Sequence, residues 1–204
     1  MTRTAVEEAS RYAHGRVPRE VRERQVLEIA EDLFAERGYE GASMDELARR
    51  AGVSKPVIYG LVGSKDELYR RSFERAAAEL EDSVRAAIAG HEGISERLEA
   101  GALAFFTFIA GHRAAWSRLF LEAGGPAVEH VARIRARQAG LVATLVAESA
   151  GDDDGRRLGA VSNAVNSGLE GMAAWWREHP DVPPERMTAW ALDLFLPGLE
   201  ALTR

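Results

Sequence analysis

Residues 43–59 read SMDELARRAGVSKPVIY and carry the most specific structural pattern in the chain. It opens with Ser43 and Glu46 at the spacing of a capping box, in which the hydroxyl and the carboxylate reciprocally satisfy free amides at a helix start. Ala48 is small enough to let two helices approach closely, and Gly52 adopts the left-handed conformation of a tight turn at low cost. The stretch therefore predicts a short helix, a turn and a second helix, which is the helix-turn-helix arrangement.

The rest of the chain has the periodicity of helices. Apolar residues recur at a three-and-four spacing from Val26 to Phe34, and Gly38 is expected to end that helix. Ser64 begins a second capping box, which opens a long helix through about Ala89. Further helices are predicted over about 95–112, 115–122, 127–149, 156–178 and 184–203. No stretch alternates with the period of a β-strand, so the sequence predicts an all-α fold.

Composition excludes several classes of protein. The 204 residues suffice for one large domain, or for a small domain joined to a larger one. Cysteine is absent, which excludes disulfides, iron–sulfur clusters and a cysteine nucleophile. The longest nearly uncharged run, residues 101–111, is much shorter than the ~20 residues that cross a bilayer. The N-terminus lacks the apolar stretch of a secretory signal, so we expect a cytoplasmic protein without a membrane partner.

Charge is distributed unevenly along the chain. The first 75 residues carry 14 basic and 14 acidic side chains, whereas the remainder carries 12 and 18, which gives a net charge of −6. Such a chain is not suited to coating nucleic acid, because indiscriminate binding requires a broad positive field. Basic patches nevertheless remain over residues 11–24 and 43–65. They are compatible with a helix-turn-helix whose second helix enters the major groove of DNA.

The long first helix followed by SMDELARRAGVSKPVIYGLVGSKDELYRRSF, residues 43–73, resembles the DNA-binding domain of TetR/AcrR-family transcriptional regulators. The resemblance covers about residues 20–75. It implies a divergent helical second domain that binds a small molecule and forms the homodimer. The expected domains are a flexible arm over 1–18, a three-helix DNA-binding domain over 19–66, and a ligand-binding and dimerisation domain over 67–204.

The resemblance also assigns DNA contacts to seven positions. Ser43 and Lys65 lie at helix starts where family members contact phosphates, and Tyr59 matches the recognition-helix tyrosine whose hydroxyl meets a phosphate. The N-terminal turn of the recognition helix lies nearest to the base edges. In this chain that turn comprises Ser54, Lys55, Pro56 and Val57.

The recognition helix departs from the family pattern. Pro56 and Val57 stand where Gly-Thr is frequent, and they offer apolar contact to a thymine methyl but no hydrogen bond. The operator is therefore expected to be read partly through its shape, or through Lys55 and the N-terminal arm. Arg3, Arg11 and Arg16 are candidates for a minor groove, and the alternative for this arm is a disordered terminus.

The second domain carries polar residues on faces expected to be buried. Gln138 interrupts an apolar face, and Asn163, Asn166 and Glu170 recur at i, i+3 and i+7 on a later helix. Buried polar groups need partners, and a ligand is one such partner. The predicted cavity, walled by Phe105, Trp116 and Phe120, would take a mainly apolar or aromatic effector. A polar stripe at the dimer surface or facing solvent is an equal alternative.

The last two helices carry broad apolar faces, which predict a four-helix bundle across a two-fold axis. The five histidines show no metal-binding spacing, and no catalytic arrangement or cofactor motif stands out. We therefore predict a homodimeric repressor that binds a palindromic double-stranded operator and releases it on binding a small molecule, with no cofactor, metal or catalytic residue. The alternatives are a regulator without an inducer, an activator, or an all-helical enzyme or ligand carrier.

Overall fold

The computed structural model describes residues 5–10, 17–113, 127–147 and 155–201, in which every regular element is an α-helix. This confirms the predicted fold class. The described helices, numbered in chain order, are α1 (Ala5–Ser10), α2 (Arg19–Gly41), α3 (Met44–Ala51), α4 (Lys55–Val62), α5 (Lys65–Ile88), α6 (Ile94–Gly111), α7 (Ala127–Ala147), α8 (Gly155–Trp176) and α9 (Pro184–Glu200). The helix predicted over 115–122 lies outside the described residues.

The chain forms two compact units, and the division falls within α5. Unit one contains residues 5–10, 17–76 and 127–130 of the described chain, and unit two contains 77–113, 131–147 and 155–201. The sequence predicts the domain boundary after residue 66, at the start of α5. The structural division lies further along that helix, because the first turns of α5 pack into the core of unit one.

A kink interrupts α2 at the glycine expected to end it. Gly38 has φ 68° and ψ 179°, and the chain continues helically to Gly41. The amide of Ala42 donates to the Gly38 carbonyl across this last turn. A positive φ is readily available to glycine alone, which explains why the regular helix breaks at this residue.

The prediction of a loose arm is wrong for Ala5–Ser10, which forms α1 and packs on α2. The amide of Val6 donates to the Glu28 carboxylate over 3.2 Å, and Arg24 pairs with Glu8 at 2.8 Å. The paired residues are 22 and 16 positions apart in the sequence, so local periodicity does not predict these contacts. Arg3, Arg11 and Arg16 lie outside the described residues.

Unit one is held together by a core in which α2 and α5 contribute the aromatic side chains. Phe34, Tyr69 and Phe73 are buried, and Tyr69 meets each of the other two edge to face, at centroid distances of 4.7 and 4.8 Å. Such pairs stabilise by about 0.5–1.5 kcal/mol beyond the burial of their area. The same core receives Leu47 of α3 and Ile58 of α4, both fully buried. The short helices α3 and α4 are thereby fixed against the two long ones.

In unit two, α6 packs extensively against α9. The buried Phe106 and Trp176 meet edge to face at 5.7 Å. The indole of Trp176 donates to the Val182 carbonyl over 2.8 Å, and the Arg113 guanidinium lies 4.3 Å from its ring centroid. This arrangement satisfies the buried indole and fixes the end of α8 against the loop that precedes α9.

Candidate functional site

The turn between α3 and α4 has the geometry that the sequence predicts. The Ser43 hydroxyl accepts from the Glu46 amide over 3.2 Å and caps α3. Gly52 lies in the left-handed region, at φ 65° and ψ 33°. The Val53 amide then donates to the Ala48 carbonyl over 3.1 Å, which is the bond that closes a Schellman motif. The chain therefore leaves α3 sharply and enters α4 after two residues.

The carboxylate of Glu46 serves a different purpose from the one expected of a capping box. It accepts hydrogen bonds from Arg49 at 2.7 and 2.9 Å and from Arg50 at 2.9 Å. These bonds lower the pKa of Glu46 to about 2. Arg50 also forms a bidentate pair with Glu36 of α2. Glu46 thus orders the basic end of α3, and this basic end is tied to α2.

Helix α4 presents one buried and one exposed face. Ile58 and Val62 are buried in unit one, whereas Val57 and Tyr59 are 43% and 46% exposed. Ser54, Lys55 and Pro56 at the start of the helix are exposed as well. The start of α4 and the side chains of Val57 and Tyr59 are therefore accessible to a partner. The exposed face carries five of the seven positions predicted to contact DNA.

The two lysines of the chain lie beside this face, and both have partners. Lys55 pairs with Asp45 of α3, at 2.9 Å between Nζ and Oδ2. The Nζ of Lys65 lies 4.5 Å from the centroid of the Tyr39 ring and 3.5 Å from the Glu40 carbonyl oxygen. The hydrogen bond from the Tyr39 hydroxyl to Asp66 raises the pKa of Tyr39 to about 12. Lys65 is therefore held at the start of α5 by residues from the end of α2.

Arg19 and Arg22 position the helix-turn-helix, and the sequence did not indicate this role. Arg22 donates to the Ala51 carbonyl at the end of α3 over 3.3 Å and to Gln25 over 2.6 Å. Arg19 donates to the Gly60 carbonyl of α4 over 3.0 Å. Both belong to the first turns of α2, whose basic composition gave only a general indication of a patch. Their specific role depends on contacts 29 and 41 residues away.

Unit two contains a cavity lined by α5, α6, α7, α8 and α9. Three of the predicted ligand-site residues line it: Phe105, Gln138 and Asn166. Asn163 does not, because its amide is exposed and donates to the Gly159 carbonyl over 3.0 Å. Trp116 and Phe120 lie outside the described residues. The expected polar stripe on α8 is therefore divided between the cavity and the surface.

Glu170 lies one helical turn beyond Asn166 and is paired within the protein. Its carboxylate accepts from Arg135 over 2.7 Å and from the Asn166 amide over 3.0 Å. Burial raises the pKa of Glu170 above its usual value. The hydrogen bonds from Arg135 and Asn166 act in the opposite direction but do not cancel this effect. Glu170 is not among the residues that line the cavity. It orients Asn166 by accepting one of the two hydrogens of its amide nitrogen.

The described residues show neither a metal centre nor a membrane span. No group of three or more His, Asp or Glu side chains suited to a metal ion occurs in these parts of the chain. None of their helices has the length and apolar character needed to cross a membrane.

Family models match both parts of the chain. Residues 26–71 match the model described as bacterial regulatory proteins of the tetR family, and these residues contain the helix-turn-helix. Residues 94–198, which make up more than half of the chain, match the tetracyclin repressor-like C-terminal domain.

Two curated relatives share part of the sequence. The HTH-type transcriptional activator FasR of Mycolicibacterium smegmatis is 44% identical over 107 residues, which are 52% of this chain and 48% of FasR. IcaR of Staphylococcus epidermidis, a negative transcriptional regulator of a biofilm operon, is 32% identical over 50 residues, 24% of this chain and 27% of IcaR. The chain thus matches about half of one relative and about a quarter of the other.

Solved structures share the whole fold. A TetR-like transcriptional regulator from Rhodococcus sp. RHA1 superimposes with a TM-score of 0.73 at 27% identity, over 91% of this chain and 99% of that one. AibR, solved with isovaleryl coenzyme A and operator DNA, superimposes with a TM-score of 0.66 at 19% identity, over 85% and 98%. The matched family and both curated relatives are transcriptional regulators, not enzymes. The chain belongs to the tetR family of bacterial transcriptional regulators, and its helix-turn-helix lies in the part that matches the N-terminal family model.

Proposed function

We propose that the protein is a homodimeric regulator that docks α4 in the major groove of a near-palindromic operator and releases it when a small molecule occupies the cavity of unit two. The exposed face of α4 is the observation that supports a DNA interface at this helix. Val57 and Tyr59 point away from the core that buries Ile58. A recognition helix needs this division, because one face must anchor the helix while the other meets the groove.

The proposed contacts follow from the position of each group. Tyr59 would place its hydroxyl on a phosphate, and Lys65 would supply a point charge to another. Ser54, Lys55, Pro56 and Val57 would lie nearest to the bases, as the first turn of a recognition helix does. The Ser43 hydroxyl accepts a hydrogen bond from the Glu46 amide and caps α3. Ser43 is exposed, so the start of α3 would face the DNA backbone.

Apolar side chains exposed on unit two support a homodimer. Trp175 of α8 and Trp190 and Leu194 of α9 are all exposed, and the two indoles meet at a centroid distance of 6.0 Å. A second copy would cover this surface by pairing α8 and α9 with their equivalents across a two-fold axis. Sedimentation should then show a dimer at micromolar concentration, and a monomer would contradict the proposal.

Repression is proposed as the direction of regulation, with activation as the alternative. The names of the relatives give both signs, because FasR is called an activator and IcaR a negative regulator. The AibR complex holds isovaleryl coenzyme A together with operator DNA, and this combination supports a small-molecule effector for the present chain. Transcription from a selected operator, with and without the protein, decides between the two signs.

The test of the DNA interface uses the full chain and a duplex selected from random sequence. Tyr59→Phe and Lys65→Ala should each weaken binding by about 1–2 kcal/mol across sequences, and Lys65→Ala should lower the slope of log K against log salt by about one. Arg85→Ala removes a charge from an exposed position on α5 in unit two and serves as the control. If the Tyr59 and Lys65 variants fold and bind the duplex as tightly as the Arg85 control, these two residues do not contact phosphates.

A further inference from the structure

We propose that the cavity of unit two takes a small uncharged group that combines an apolar body with a hydrogen-bond acceptor of the carbonyl type, and that the side-chain amide of Gln138 donates to this acceptor. The inference rests on the proposed function, because it treats the cavity as the effector site. It adds the chemical class of the ligand and the residue that selects it.

The wall of the cavity is apolar on most sides. Leu80 and Val84 come from α5, Phe105 from α6, Leu169 from α8, and Phe195 and Leu196 from α9. The cavity has a volume of about 90 Å³. A cavity of roughly 150 Å³ lined by similar side chains takes benzene, so this one suits a slightly smaller apolar group. A compact ring or a short branched chain meets that requirement, either as a whole molecule or as the end of a larger one.

Gln138 provides a donor that none of the described residues uses. The residue is only 8% exposed, and its Nε2 is buried with no hydrogen-bond partner among the described residues. A buried donor without a partner is destabilising, so an acceptor brought by a ligand recovers that loss. Asn166 lines the same cavity, but one of its two amide hydrogens donates to Glu170, whereas the Gln138 nitrogen is buried without any partner among the described residues. The selectivity of the site is therefore assigned to Gln138.

The charges around the cavity favour an uncharged ligand. Glu81 and Arg97 both line it and carry opposite charges. The Glu81 carboxylate is buried and accepts from Arg137 over 2.6 Å. An anionic ligand would lose its hydration beside this carboxylate, and a cationic one would do so beside Arg97. A neutral carbonyl incurs neither cost and still accepts from Gln138.

The experiment compares three probes no larger than benzene in the full chain by NMR titration. They are cyclobutanone, which has an acceptor, methylenecyclobutane, which has the same outline without one, and cyclopropanecarboxylate, which is anionic. We expect cyclobutanone to bind about three- to tenfold more tightly than methylenecyclobutane, the ratio that one net hydrogen bond supplies. The carboxylate should bind more weakly than the ketone.

Gln138→Leu should reduce the preference for the ketone to less than about twofold, while methylenecyclobutane still binds. Thr144→Val is the matched control, because Thr144 lies on the same helix with its exposed hydroxyl donating to the Gly140 carbonyl. It should keep the full preference. If Gln138→Leu does not fold, Gln138→Met removes the same donor with a more adaptable side chain.

Three results would overturn the inference: a preference that survives removal of the amide, tightest binding by the carboxylate, or no binding of either neutral probe to the parent protein. Operator binding is measured in parallel on the same samples. Intact operator binding without probe binding rejects the inference alone. Probe selectivity that depends on Gln138, in a protein that selects no operator, supports the ligand class and rejects the proposed function.

Discussion

Substituting Asp45 by Asn tests whether an ion pair on the helix-turn-helix restrains its DNA binding. Asp45 holds Lys55, the first residue of α4, at 2.9 Å between Oδ2 and Nζ. The substitution keeps the shape of the side chain and removes its charge. It releases Lys55 for a phosphate or a base edge, and it removes a carboxylate that repels DNA from the same surface. Tighter binding is therefore expected.

The exposure of the pair sets the magnitude of the effect. The side chains of Lys55 and Asp45 are 45% and 74% exposed, so solvent screens their attraction. Such pairs contribute about 0.2–1 kcal/mol, and the stability of the fold should change by no more than that. Transferring the same free energy to DNA binding improves affinity about 1.5- to fivefold per subunit. One additional phosphate contact steepens the salt dependence by about 0.9 in log–log slope.

Asp82→Asn is the control, because it makes the same change of net charge at an exposed position of α5 in unit two. Fluorescence anisotropy with a labelled operator duplex, at salt concentrations from 50 to about 200 mM, measures affinity and slope together. Equal effects of Asp45→Asn and Asp82→Asn would show that only the global charge matters. In that case the local role of the ion pair is refuted.

Three further predictions concern stability, measured by urea unfolding. Gly52→Ala should destabilise by about 1 kcal/mol, because its φ of 65° is unfavourable for a side chain, whereas Gly60→Ala should stabilise by about 0.5–1 kcal/mol in the open interior of α4. Gly168→Ala should destabilise by about 1–3 kcal/mol, because a Cβ there would overlap the tip of the Phe195 ring. The stability advantage of the parent over Glu46→Gln should be complete above pH 4.5 and disappear as the pH falls towards about 2, because the folded-state pKa is lowered.

Each of these predictions has a result that contradicts it. Equal stability of the Gly52 and Gly60 variants would contradict the left-handed conformation of Gly52 in the turn between α3 and α4. Gly140→Ala, on an exposed part of α7 with open space around it, is the control for Gly168. If both alanines stabilise alike, the close approach of α8 and α9 is wrong. A pH-independent difference for Glu46→Gln would show that Arg49 and Arg50 do not hold that carboxylate.

Local signals explain why the sequence predicts the helix-turn-helix well. The capping hydroxyl of Ser43, the left-handed Gly52 and the apolar spacing of α3 and α4 each act within a few residues. Their outcome depends little on the rest of the chain, and the structure shows all of them. Glu46 is the exception within this stretch, because Arg49 and Arg50 provide stronger partners for its carboxylate than a neutral amide does.

The periodicity of the sequence does not predict contacts between residues that are distant in the chain. Helix α1 has six residues, too few to be stable alone, and it forms because Glu8 and Val6 find partners on α2. In the same way, the pairing of Lys55 with Asp45 joins two helix starts that the turn brings together. Periodicity specifies a helix but not the residues that it meets.

The polar residues of unit two illustrate the same limit within one face. Asn163 and Asn166 are three residues apart, a spacing that places them on neighbouring parts of a helix surface. One of them is nevertheless exposed and the other lines the cavity, because the edge of the packed face falls between them. Only the packing of α8 against its neighbours decides this boundary. Gln138, which interrupts an otherwise apolar face, gave the more specific indication.

Helix α5 is the element through which the two proposed sites would be coupled. It is continuous from Lys65 to Ile88, so that Lys65 stands at its start in unit one while Leu80 and Glu81 line the cavity in unit two. An effector shifts the DNA-binding equilibrium only by its difference in affinity for the two states of the protein. Linkage then requires operator DNA to weaken the effector by the same factor, which a titration of the protein–DNA complex measures directly.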